Sequence, residues 1–338
     1  MASVRDVAAR AGVSVGTVSR VINRHEDVAP ALRDRVEAAM RELSYAPNAL
    51  ARNFRRQRTG AVGVVVPDVT APFFADLVKQ IEWVARNQGY ALLIGNSDNR
   101  SDIENEYISR LHERGVDGLI LVPSTGVEHL PLDYRSPVVI VDQDVDGVDV
   151  IATDHEAGAR EIVEHLAGLG HRRIACIAGP QTAFRQRLAG YRSIVEPLLI
   201  QDGVEDRDDY VRIEPMGEQR GFDSAHLLLD LPIPPTAIFA ASDQQAVGVL
   251  RACADRDLRV PRDISVVGFD DIPLAELLQP RLTTVRQPTA ELGRLAVERL
   301  LFRLESPSAP PLRQVLPGEV RLRRSSGPVP TGLERLGA

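Results

Sequence analysis

The sequence predicts a small all-α head followed by an α/β body made of two doubly wound parallel-sheet lobes. Three observations carry this reading. Up to Leu43 the apolar residues recur at three- and four-residue spacing, the period of an amphipathic helix. From Ala61 onward short apolar runs alternate with amphipathic stretches, the signature of strand, crossover helix and parallel strand. That alternation is completed twice, which implies two similar lobes joined by right-handed crossovers.

The bulk properties bound what such a chain can be. At 338 residues, with 44% apolar and 26% charged residues, it is long enough to bury more than one core. Its two cysteines, Cys176 and Cys253, lie in apolar segments without metal-ligand spacing, so free thiols in a reducing compartment are expected, with no zinc site and no disulfide framework. The N-terminus lacks a basic segment followed by an apolar one, and no apolar run reaches the roughly 18 residues needed to span a bilayer. A cytoplasmic protein with no membrane partner is therefore expected. The net charge of −7 conceals a division: residues 1–60 carry eleven arginines against six acids, which leaves −12 for the remainder. A basic head on an acidic body can bind phosphates while the body is repelled from them, although a fluctuation of surface charge would look similar.

In the head, Ser3-Val4-Arg5-Asp6 is a capping-box-like start, and Val4, Val7, Ala8 and Ala11 form the apolar stripe of a first helix. Gly12 stops it. Ser14 is placed to cap a second helix holding Thr17, Val18, Val21 and Ile22, so two short helices meet across a tight turn with helix-turn-helix spacing. A third helix follows Pro30, with Leu32, Val36, Ala39, Met40 and Leu43 at helical intervals. Three such helices can be purely structural. If the second instead enters a DNA major groove, Val15, Gly16, Thr17 and Arg20 face the base edges, where arginine grips guanine O6 and N7 and methyl groups touch thymine. Gly16 costs about 1 kcal/mol relative to alanine within a helix, so it either permits close approach to DNA or is incidental.

In the body, short strands are expected at 62–66, 91–94, 118–122 and 138–141, with a crossover helix carrying Leu77, Ile81, Val84 and Ala85 and another opened by Ser101-Asp102-Ile103-Glu104 as a capping box. After a helix near 157–169 the pattern repeats, with strands at 174–178, 237–240 and 264–267. Ligands in such folds bind beyond the carboxyl ends of the strands.

These residues carry a family resemblance. The runs Val4-Arg5-Asp6-Val7-Ala8, Ala11-Gly12-Val13-Ser14, Thr17-Val18-Ser19-Arg20-Val21-Ile22-Asn23 and Tyr45-Ala46-Pro47-Asn48-Ala49-Leu50-Ala51-Arg52 resemble the lactose/galactose repressor (LacI/GalR) family of transcription regulators. In the body the resemblance is carried by Pro67-Asp68 with Pro72-Phe73-Phe74, by Gly170-His171-Arg172-Arg173-Ile174-Ala175, by Ile264 through Asp271 and by Leu282 through Pro288. It implies a helix-turn-helix domain over 1–46, a hinge helix and linker over 47–59, and a periplasmic-binding-protein-like effector domain over 60–330. The N-lobe would hold about 60–155 and 289–316, the C-lobe about 156–288 and 317–330, with three crossings between them and a tail at 331–338. It further implies a homodimer at the nucleoid that binds palindromic operator DNA as a repressor, with no cofactor and no enzyme activity, under control of a small metabolite, most simply a carbohydrate. A response to a protein partner or to a nucleobase or nucleoside remains the alternative.

The resemblance assigns DNA contacts to Ser14, Val15, Gly16, Thr17, Ser19, Arg20 and Asn23, and in the hinge to Asn48, Ala51, Arg52 and Phe54. Phe54 matches the apolar wedge, usually leucine, that opens a central base step, unless it is an ordinary linker aromatic. Effector contacts fall to Phe73, Phe74, Asp142, Arg185, Met216, Ser242, Asp243, Asp270 and Gln287. Each has a plainer use: the two rings can be core, the carboxylates can cap turns, and Arg185 or Arg187 can pair with surface acids. Ala71 and Ser242 stand where relatives commonly have Asn, Gln143 where sugar binders have Arg, and Met216 where an aromatic often stacks. Two other classes fit less well. A plain solute-binding protein would have a leader and no basic head, and an enzyme would need a nucleophile, base and orienting group that do not stand beside Asp142 and Asp270. The stretch from Ser306, rich in Pro and Ser, has no leucine heptads, so a dimer without a tetramer-forming helix is expected.

Overall fold

The computed structural model describes residues 2–22, 27–45, 58–124, 136–143, 145, 147–202, 204 and 207–330, which divide into a head, ending at Gly60, and a body from Ala61 onward. In the head, α1 (Val4–Ala11), α2 (Val15–Ile22) and α3 (Pro30–Glu42) surround a core of Val7, Ala8, Ala11, Val18, Val21, Val28, Val36 and Ala39. The expected capping box is present, with the Ser3 hydroxyl accepting from the Asp6 amide and the Asp6 carboxylate accepting from the Ser3 amide. Gly12 takes the left-handed conformation (φ 61°) that lets α1 turn into α2. Arg35 of α3 donates to the Ala11 carbonyl at 2.6 Å, satisfying an orphan acceptor at the end of α1.

The body begins with β1 (Ala61–Val66), α4 (Pro72–Asn87), β2 (Ala91–Asn96), α5 (Ser101–Glu113), β3 (Gly118–Leu121), β4 (Val138–Val141) and β5 (Asp149–Thr153). The chain then crosses to the second lobe through α6 (His155–Gly168), β6 (Ile174–Ala178), α7 (Thr182–Gln201), β7 (Val211–Ile213), α8 (Glu218–Leu229), β8 (Ala237–Ala240), α9 (Asp243–Asp255), β9 (Ser265–Val267) and β10 (Thr284–Arg286). It returns through α10 (Thr289–Glu305) and β11 (Arg313–Leu316), and ends with β12 (Glu319–Arg321). The N-lobe sheet is wholly parallel in the order β11-β5-β4-β3-β1-β2; the C-lobe sheet, also parallel, runs β7-β6-β8-β9, and β10 pairs with β12 antiparallel. The three passages between lobes thus lie after β5, after β10 and after β11.

Alternation along β1 shows how the N-lobe is layered. Val62, Val64 and Val66 face a core built with α4 and α10, while Val65 faces the core of α5. Five strands were not anticipated: β5, β7, β10, β11 and β12. β7, β10 and β12 have three residues each, and β11 lies between prolines with a half-exposed, alternating Arg-Gln-Val-Leu, so local hydrophobicity does not announce it. Ser101 is also not the expected cap. Arg100 holds that position without a capping bond from its side chain to the helix amides, and Glu104 reaches instead to the Ser124 amide at 2.6 Å. Among the described residues no helix is long and apolar enough to cross a membrane.

Candidate functional site

The first candidate surface is the outer face of α2. Val18 and Val21 turn inward, while Ser14, Val15, Gly16 and Arg20 are exposed and Thr17 and Ser19 are half-buried. The Ser14 hydroxyl accepts from the Thr17 amide at 3.1 Å and lies 3.0 Å from its hydroxyl, so it fixes the start of the helix. A side chain at Gly16 would meet only ordinary contact, 3.6 Å from Ser14 Oγ. Among the described residues of the head, nothing therefore requires glycine there. Asn23, Asn48, Ala51, Arg52 and Phe54 lie outside the described residues.

The second candidate is a narrow cleft between the lobes of the body. Phe73 and Phe74, at the start of α4, meet edge to face at 5.2 Å and line it, as do Met216, Asp142 at the end of β4 and Asp270 beyond β9. The backbone of both carboxylates has positive φ, 65° at Asp142 and 113° at Asp270. Conformations of this kind cost of order 1–3 kcal/mol and persist where the surroundings over-determine them. Asp270 accepts from Gln287 at 2.8 Å and faces the Arg187 guanidinium at 3.3 Å. Burial nevertheless pushes its carboxyl up to about 6, against the pull of that arginine and of Gln287.

The arginine of the cleft is Arg187, which corrects the expectation for Arg185. Arg185 is exposed and donates to the Pro180 carbonyl and the Thr182 hydroxyl at the rim of α7. Arg187, two residues on and on the opposite side of the helix, is buried with its guanidinium 3.9 Å from the Phe269 ring centroid and 5.0 Å from that of Phe184. Three further expectations also move. Ser242 is wholly buried as the cap of α9, its hydroxyl accepting from the Gln245 amide. Asp243 is wholly buried, accepting from the Thr284 hydroxyl at 2.6 Å and the Ile272 amide at 2.9 Å, and its carboxyl is raised by burial and then by the charge of Asp270. Gln287 lies behind the cleft, bridging Asp270 and the Thr153 hydroxyl.

Asn99, Gln143 and Gln181 line the cleft without having been singled out as ligand contacts. Gln181 donates to Asn99 across the two lobes at 3.5 Å. These are polar residues in loops or at a helix start, where no periodicity marks which side chain turns inward. Arg187 was different: it lies three residues after Phe184 and four before Tyr191, so the apolar stripe of α7 fixes its direction.

A three-helix head presenting an arginine-bearing helix, joined to a two-lobed body with a charged and aromatic cleft, defines a ligand-responsive DNA-binding regulator. Comparison with known proteins makes this specific. Residues 3–48 match the family described as bacterial regulatory proteins, lacI family, and residues 163–326 match the periplasmic binding protein-like domain. The chain is 39% identical over 321 residues to the ribose operon repressor of Escherichia coli (strain K12), covering 91% of this chain and 94% of that protein. It superposes on the lac repressor dimer bound to operator and the anti-inducer ONPF with a TM-score of 0.82 at 31% identity, covering 96% of this chain and 99% of that one. It also superposes on a lacI family transcriptional regulator from Enterococcus faecium with bound ribose, with a TM-score of 0.69 at 29% identity and coverage of 79% and 99%. The chain belongs to the lacI family of bacterial regulatory proteins and is a DNA-binding transcription regulator with a small-molecule-binding body.

Proposed function

We propose that the protein is a homodimeric repressor of a palindromic operator whose affinity for DNA is set by a pentose, D-ribose in the first instance. The observation that carries this is the cleft itself, which places Arg187, Asp142 and Asp270 around a small volume beside Phe73, Phe74 and Met216. Two carboxylates accept sugar hydroxyls, a guanidinium donates to ring and hydroxyl oxygens, and the rings cover the apolar face of the sugar. The ribose-bound relative and the ribose operon repressor support the same class.

On this reading α2 of each subunit reads one half-site through Val15, Gly16, Thr17 and Arg20, and the hinges meet at the centre with Phe54 as the wedge. Ligand changes the relation of the two lobes and so the dimer geometry on which hinge contact depends. Ligand and operator then alter each other's affinity by one factor, by linkage. Titration of the full-length protein with D-ribose, with operator release followed in parallel, tests the proposal. Arg187→Ala should weaken ribose binding about 10- to 100-fold, the scale of a lost charge-assisted hydrogen bond, whereas Arg185→Ala should leave it within about twofold. Binding of a nucleoside in preference to ribose, or equal losses in the two variants, would overturn the pentose assignment.

A further inference from the structure

Resting on the cleft assignment above, we infer that His155 is a positioning residue for the effector, holding the N-lobe carboxylate Asp142 and the C-lobe guanidinium Arg187 in one binding geometry. His155 is the first residue of α6, immediately after the passage from β5 into the C-lobe, and its side chain is wholly buried. It does not line the cleft, but it touches the two charged groups that line it from opposite lobes. Its Nε2 lies 2.7 Å from Asp142 Oδ1, and its Nδ1 lies 3.2 Å from Arg187 Nε. The ring is further wedged against Phe269, with centroids 5.8 Å apart.

The chemistry of the three groups fixes the state of the ring. A guanidinium only donates, so Nδ1 must offer its lone pair to Arg187 Nε–H. A carboxylate only accepts, so the imidazole proton is on Nε2 and is donated to Asp142. The neutral Nε2–H tautomer satisfies both partners; an imidazolium would turn an N–H against the arginine, and the other tautomer would fail at both ends. From Arg187 the chain of contacts continues to Asp270, to Gln287 and to the Thr153 hydroxyl, two residues before His155. The path therefore closes on itself through the first passage between lobes and takes in the second at Gln287. A ligand that grips Asp142 and Arg187 together is gripping two groups whose spacing one imidazole sets.

The test compares the full-length wild-type protein with two substitutions: His155→Gln, which retains an acceptor and a donor, and His155→Leu, which retains bulk alone. With D-ribose as probe, H155L should weaken binding about 10- to 100-fold and H155Q should recover most of that loss, while both keep a cooperative melt near that of the wild type. Long-range 15N spectra of histidine-labelled protein, with the His155 signal assigned by its absence in H155Q, should show a neutral ring protonated on Nε2. Equal losses in H155L and H155Q, no loss in H155L, or a proton on Nδ1 would each overturn the inference. Should wild-type protein ignore D-ribose but bind a nucleoside, the pentose assignment fails alone, and the same comparison is read with that nucleoside. If no probe binds, the spectra decide the matter.

Discussion

Asp270 carries the electrostatic tension of the cleft. It is buried beside a second carboxylate, Asp142, and faces one guanidinium, so its carboxyl rises to about 6 even with Arg187 and Gln287 favouring the ionised form. The sign for ligand follows: hydroxyls donate to a carboxylate, so ribose affinity should be level above about pH 7 and fall as pH drops through about 6. Titrations at pH 7.5 and 5.5 check this, and Asp270→Asn should weaken binding at the higher pH and remove the acid branch. For the unliganded fold the sign is opposite. A carboxyl raised from its ordinary value of 3.8 holds its proton more tightly when folded, so it costs stability as pH rises from that value through about 6. At this scale it was the resemblance that named Phe73, Phe74, Asp142, Met216 and Asp270, and the cleft brings those five together; the fold alone points only to the region beyond the strand ends. The resemblance gave the arginine as Arg185; Arg187, two positions on, points nearly the opposite way, on the buried stripe with Phe184 and Tyr191.

Among the elements, α8 and α9 show packing that leaves no slack. A Cβ at Gly221 would lie 2.2 Å from the Gln245 carbonyl oxygen, and one at Gly248 would lie 2.0 Å from that of Glu218, so each helix presents a glycine to the other's backbone. Gly248→Ala should therefore force the pair apart and destabilise the C-lobe by about 1–3 kcal/mol, read as a lowered melting temperature, with Ala246→Gly on the same helix as a comparison that adds no bulk. Gly268 is constrained in the same way, since a Cβ there would come within 2.1 Å of Asp243 Oδ1. Helices and central strands were legible because each has a strong period or a continuous apolar run. Of the strands that escaped, β7, β10, β11 and β12 are fixed by partners distant in the chain, whereas β5 pairs with its neighbour β4: β11 exists because β5 offers it an edge, with Arg313 opposite Val150 and Leu316 opposite Thr153.

In the whole molecule, charge and topology divide the labour. The head has eleven arginines and no lysine, and Lys79, exposed on α4, is the only lysine in the chain. Operator affinity should fall steeply between about 50 and 200 mM salt as counterions are released. Arg20→Ala, on the exposed face of α2, should reduce discrimination between operator and random DNA by about 1–3 kcal/mol, measured by competition at fixed salt. A salt-insensitive interaction would sink the reading of the head as a phosphate-gripping surface. The two-lobed plan was readable because the strand and helix alternation is completed twice, but the threading was not. That threading orders the birth of the protein in time. The ribosome delivers the head first, and the residues of its core lie within 4–45. The N-lobe starts next, yet α10 is complete only at residue 305 and β11 only at residue 316, and β10 waits for its partner β12 until residue 321. During synthesis, a chain with a finished DNA-reading head therefore carries an unfinished sensor, and the last stretch to emerge completes both lobes almost together.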